Sequence, residues 1–134
     1  VINSYDIDGV IYLGDNYNGL RPGPKDVIIT GRSLDEKEYT DYWLDHQDIH
    51  NKVFYSPVAF ESKTREKSGK HKARTLNHLL DVGYDIKIHF EDDEVQALII
   101  EEECPRVKVV RIVHDLVDKE NVWHGPKTLE STSE

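Results

Sequence analysis

The sequence predicts an α/β domain: five parallel strands in one sheet with helices on both faces, a three-layer α/β/α sandwich. Three observations predict it. Short apolar runs alternate with stretches of helical periodicity along most of the chain. The runs are of the kind buried on both faces of a parallel sheet, with helices as the crossovers. The chain has 134 residues, enough for one domain with a real core.

Residues 2–6 read as the first strand, which runs out into Tyr5-Asp6-Ile7-Asp8-Gly9-Val10. Asp6 and Asp8 are two residues apart, so on a strand they leave on the same side. Carboxylates that close repel unless a cation or a shared proton offsets them. Gly9 lets the backbone turn sharply just beyond. Residues 10–21 hold two extended pieces around Gly14-Asp15-Asn16, which predicts a small β-hairpin stopped by Pro22-Gly23-Pro24. Residues 26–30 form the second strand, closed by Gly31.

Ser33 opens a helix to about residue 46, with Glu36 completing a capping box. Residues 52–55 make the third strand, ended by Pro57. Residues 58–69 are polar and irregular and read as a loop. A helix over 70–82 places Leu76, Leu79 and Leu80 on one face and stops at Gly83. The fourth strand covers 86–90, a helix 93–103, and the fifth strand 107–113. Residues 125–134 lack periodicity and read as a flexible tail, leaving 1–124 as the single folded domain.

The net charge of -9 argues against a general polyanion binder. One local exception is a basic run of Lys63, Arg65, Lys67, Lys70, Lys72 and Arg74. The single Cys104 cannot form an internal disulfide, so a reducing, cytoplasmic setting is expected. No apolar run is long enough to span a bilayer and no secretory leader is read at the start, so no membrane association is expected.

Parallel sheets place their sites at the carboxyl ends of the strands. The first strand here ends at Asp6 with Asp8 beyond it, the second at Thr30-Gly31-Arg32, and the fourth at Glu91-Asp92-Asp93. The helix before the fourth strand opens with Lys67, Lys70 and Lys72. Each has an ordinary explanation as a cap or a solvated face, but together they bring acids, a hydroxyl and a lysine to one edge.

In this order and spacing the chain resembles the haloacid dehalogenase-like phosphohydrolases over about residues 2–113. An apolar strand followed by DxDG is matched by Tyr5-Asp6-Ile7-Asp8-Gly9-Val10, and a strand ending in Thr by Val27-Ile28-Ile29-Thr30. The lysine that opens a helix is best matched by Lys72, since Leu76 and Leu79 follow it at helical spacing. The strand ending in paired acids is matched by Ile88-His89-Phe90-Glu91-Asp92-Asp93. Response-regulator receiver domains share several of these residue types. Their lysine, however, follows all the acids, whereas Lys72 precedes the second acid cluster.

The resemblance implies a Rossmann-like sheet of strand order 5-4-1-2-3 and a Mg2+-dependent phosphatase. It implies Asp6 as the nucleophile that forms an aspartyl-phosphate and Asp8 as acid, then base, a task worth about 10²–10⁴-fold. Thr30 would bond a phosphoryl oxygen, and Lys72 would neutralise charge and hold Asp6. Asp6 and Asp8 through its carbonyl would hold the metal together with Asp92 and Asp93, either of which could be the direct ligand, with Glu91 a weaker third candidate.

About twenty residues separate Asp8 from Thr30 and about forty separate Thr30 from Lys72. Both gaps are consumed by predicted elements, so the chain reads as capless, with an open site that admits bulky substrates. Thr30-Gly31-Arg32-Ser33 and the helix after it are similar to the phosphatase domain of phage-type polynucleotide kinases. That similarity implies a nucleotide or polynucleotide end as substrate, with Gly31, Arg32, Lys67 and Lys70 as its binding residues. Two alternatives remain: a non-catalytic domain that binds a phosphorylated partner, and a nucleic-acid end-binding module built on the basic run. Among the histidines, only His71 and His89 fall near the expected site, in structural or supporting positions.

Overall fold

A computed structural model describes residues 1–118 and 122–126; the expected tail lies outside them from residue 127 onward. The strands are β1 (Ile2–Tyr5), β2 (Val27–Ser33), β3 (Val53–Ser56), β4 (Ile86–Glu91) and β5 (Lys108–Arg111). The helices are α1 (Lys37–His46), α2 (Arg65–Asp81) and α3 (Glu94–Glu103). The five strands form one sheet in the order β3-β2-β1-β4-β5, every pair parallel. This is the expected order, read from the other edge.

Two cores flank the sheet. Val27 and Ile29 point to one face, where Ala73, Leu76 and Leu79 of α2, Ile100 of α3 and Cys104 just past it cover them. Ile28 and Tyr5 point to the other, against Leu44 of α1 and Ile7, Val10 and Ile11 of the segment after β1. Alternation along a strand thus feeds both layers. Leu76 is fully buried, so shielding it contributes about 1.5–3 kcal/mol.

The segment after β1 keeps a single antiparallel rung of a hairpin, Tyr12 opposite Asn18, with Leu20 N donating to Val10 O at 2.9 Å. It closes over the α1 face, with Tyr12 edge-on to Trp43 at 5.4 Å.

The main departure from the sequence reading is the start of α2. It begins at Arg65 rather than residue 70, capped by Thr64, whose hydroxyl accepts from Lys67 N at 3.1 Å. The expected Ser68-Gly69 turn is therefore helix. Gly69 is buried there and lets α3 approach closely: a Cβ would stand 3.1 Å from the Ile99 side chain and 3.2 Å from Gln96 Cα. Glycine read as a loop signal is here a packing device. Among the described residues, no helix is long and apolar enough to cross a membrane.

His71, on the sheet-facing side of α2, is almost fully buried, and among the described residues its Nε2 lies within good hydrogen-bond geometry of no partner. Burial, then the neighbouring Lys72 charge, lowers its pKa from 6.5 to about 4. Protonation therefore favours the unfolded chain. The contribution is fully present above pH 6.5 and is lost as pH falls from there towards 4. Within that window one proton adds a slope of up to about 1.4 kcal/mol per pH unit. Urea unfolding from pH 7 to 4 should show His71→Leu with a shallower decline than the parent chain, and parallel declines would contradict this.

Candidate functional site

The site is built where β1 and β4 end side by side. Asp6 N donates to Phe90 O at 3.1 Å, and the Asp6 carboxylate accepts from Ile7 N at 2.8 Å. Ser4 pairs with His89 in register, so strand alternation directs Ser4 and Asp6, and His89 and Glu91, to the face beneath α2. A buried polar chain results. Ser4 Oγ lies 2.7 Å from His89 Nδ1, and His89 Nε2 lies 3.3 Å from Glu91 Oε1. Lys72 Nζ ends the chain, 2.7 Å from Glu91 Oε1 and 3.2 Å from Asp6 Oδ1.

Lys72 is 1% exposed and Glu91 fully buried. A buried ammonium persists only when paired and hydrogen-bonded, which these two carboxylates accomplish. Of the three lysines considered from sequence, Lys72 is the one in the site. Lys67 donates to Ser62 O at 3.0 Å and Lys70 pairs with Glu103 at 3.1 Å, both on the exposed side of α2. The basic side chains that line the cavity are instead Lys63 and Arg65, earlier in the chain.

Asp6, Glu91 and Asp92 present carboxylate oxygens within 4.8 Å of one another. Asp93, expected beside Asp92 as a ligand, is directed elsewhere. It caps α3 through Gln96 N at 2.9 Å and accepts from Arg65 Nε at 2.8 Å and from Arg65 Nη2 at 2.5 Å. Glu91, the last strand residue, alternates to the Asp6 side instead. Three carboxylates, two of them paired with the Lys72 ammonium, form a buried, all-oxygen group. That donor set suits a hard divalent cation such as Mg2+ and is not selective for it.

Asp92 is steadied by His114, whose Nε2 lies 2.8 Å from its Oδ2. His114 Nδ1 accepts from Leu116 N at 3.0 Å, which leaves the proton on Nε2, directed at Asp92. Gly9, at φ +86°, passes directly beneath: a Cβ there would overlap the Asp92 carboxylate and crowd His114. Gly9→Ala is expected to destabilise the chain by about 2–4 kcal/mol, from left-handed strain plus the overlap. It should also weaken divalent-cation binding. Thermal unfolding with and without Mg2+ measures both effects, and an unaffected variant would contradict the close approach.

Asp8 lies across the site and is gripped by Arg32. Arg32 Nε bonds Asp8 Oδ2 at 3.0 Å and Arg32 Nη2 bonds Asp8 Oδ1 at 2.7 Å. The guanidinium is 3% exposed and gives its third contact, through Nη1, to Thr40 Oγ1 at 3.1 Å. Thr30 is fully buried and its hydroxyl accepts from Arg32 N at 3.0 Å, shaping this turn. Gly31 keeps the backbone against Ser68, where a Cβ would stand 3.0 Å from Oγ.

A cavity of about 360 Å³ opens over these groups, lined by Asp6, Asp8, Gly31, Arg32, Lys63 and Lys72 among others. Gln96, 5% exposed, lines it with an Oε1 that has no hydrogen-bond partner among the described residues. The C-terminal segment also reaches it, through Asp118, Val122 and His124.

Sequence reasoning singled out Lys63 and Arg65 only as members of the basic run, and it missed Ser68, Gln96, His114 and His124. The earlier start of α2 would have brought Arg65 and Ser68 to this edge, had Thr64 been recognised as its cap. His114 and His124 come from chain without periodicity, where no local signal places them. Comparison with protein-family models, with curated proteins and with solved structures finds no match for this chain.

Proposed function

We propose that the protein is a Mg2+-dependent phosphatase that hydrolyses a phosphate monoester through an aspartyl-phosphate on Asp6. The observation that carries this reading is the Asp6–Lys72–Glu91 arrangement at the floor of the cavity. It holds one carboxylate buried, oriented and partly neutralised, as a nucleophile facing an anion requires. Asp6, Glu91 and Asp92 would hold the cation, with the Asp8 carbonyl as a further donor. When bound, the ion supplies positive charge that offsets the repulsion between nucleophile and phosphate.

The remaining groups have complementary tasks. An Asp6 oxygen attacks phosphorus, and the ester oxygen departs with a proton from Asp8. Water then attacks the aspartyl-phosphate, giving its proton to Asp8 and releasing phosphate and the Asp6 carboxylate. The Arg32 ion pair favours ionised Asp8. Phosphoryl oxygens entering the cavity compete for that guanidinium, which frees Asp8 to carry a proton. Thr30 acts through the Arg32 turn, a supporting part rather than a direct phosphoryl contact.

Hydrolysis of p-nitrophenyl phosphate is the test. Turnover should require Mg2+, stop in EDTA, and leave an acid-stable, hydroxylamine-sensitive phosphorylated protein in quenched reactions. Phosphate binding by the folded protein without turnover would instead mark a non-catalytic domain that recognises a phosphorylated partner.

A further inference from the structure

The segment 122–126 returns to the site from the far end of the chain and is held there at two points. His124 N donates to Glu36 Oε2 at 2.9 Å. Glu36 is fully buried, and its other oxygen serves Ser33 N, Ser33 Oγ and Lys63 Nζ. Trp123 packs edge-on against Phe60 at 5.0 Å, and its indole N–H closes the segment on itself through Pro126 O at 2.9 Å. Between these anchors the His124 ring faces the cavity, with Nε2 3.5 Å from Asp8 Oδ1. Val122 lines the same side.

We propose that this segment is the leaving-group wall of the cavity. It restricts the substrate to a phosphate monoester of a small molecule, of mononucleotide size or less, rather than a phosphorylated macromolecule. The inference rests on the phosphatase reading, in which Asp8 protonates the departing oxygen. The group attached to that oxygen must then lie beside Asp8, and His124 stands there. On this reading the expected open, capless site is narrowed: among the described residues no inserted domain covers it, but the segment 122–126 borders it. The volume of about 360 Å³ lies near the lower limit for small-molecule sites, roughly 300–1,000 Å³. A polymer leaving past Asp8 would have to displace His124 from Glu36 or Trp123 from Phe60.

The test uses the full chain with Trp123→Ala and Phe60→Ala, which cut the same anchor from opposite sides. In Mg2+, calorimetry compares the binding of inorganic phosphate with that of a short 3'-phosphorylated oligonucleotide. Each substitution should tighten oligonucleotide binding at least fivefold and shift phosphate binding less than twofold. In turnover the gain should appear as a lower KM for the oligonucleotide rather than a higher kcat. Equal shifts for both probes, or none, would overturn the wall. The expected binding shifts without turnover of any ester would leave the wall standing and remove the phosphatase reading. Turnover without a shift would do the reverse. If none of the folded proteins binds either probe, both fall.

Discussion

Asp6→Asn is expected to reduce turnover of every phosphate ester to below about one per cent while the chain stays folded. The amide is nearly isosteric and can still accept from Ile7 N, which the carboxylate does now at 2.8 Å. Lys72 would keep Glu91 as a partner at 2.7 Å. Removing one of three crowded carboxylates relieves repulsion, so stability measured without metal should change little. Mg2+ should then stabilise the variant less than the parent, because one charged ligand is gone. Retention of more than a few per cent of activity would remove the covalent mechanism.

Lys72→Met is expected to act on stability as well as on chemistry. Its ammonium pairs with both Asp6 and Glu91, and it is 1% exposed. Taking one partner from a buried ion pair costs about 3–5 kcal/mol, since the charges left behind stay desolvated. Methionine fills much of the same volume, so the loss should come from charge rather than from a cavity. Urea unfolding should show that loss in EDTA and a partial recovery in Mg2+, with the recovery larger than the parent's response to the ion. Turnover should vanish for activated and unactivated esters alike. A variant as stable as the parent in EDTA would mean that Asp6 and Glu91 do not depend on this ammonium.

Much of the fold was legible because its signals are local. The Val27–Ile29 and Ile86–Ile88 runs announce buried strands, and the Ser33–Glu36 pair announces the capped 3-10 turn Leu34–Glu36 that leads into α1. The start of α2 was not legible in the same way. Ser68 and Gly69 have poor helix propensity, and only the packing of α3 against the bare Gly69 backbone shows why the helix continues through them. Within the site, Asp6, Asp8, Lys72 and Asp92 could be placed at one edge from strand ends and helical spacing alone. The choice of Glu91 over Asp93 could not. It depends on where β4 ends and α3 begins, and one residue in that boundary exchanges a ligand for a cap. Arg32 was expected beside substrate; its grip on Asp8 is a relation between two strands' ends that neither stretch of sequence contains.

The central position of β1 carries a consequence for how the chain acquires its site during synthesis. β1 pairs on one side with β2 and on the other with β4, whose register partner for Ser4 is His89. The first side can zip up early, as β2 follows soon after. The other side must wait for a much longer loop to close, and only then do Glu91 and Asp92 come to Asp6. A nascent chain released before β4 emerges therefore has the DxDG stretch without Glu91 and Asp92. If these carboxylates hold a divalent cation as proposed, its contribution would begin with the closing of the sheet's second half, and Mg2+ in the folding medium should favour that late step over any earlier one.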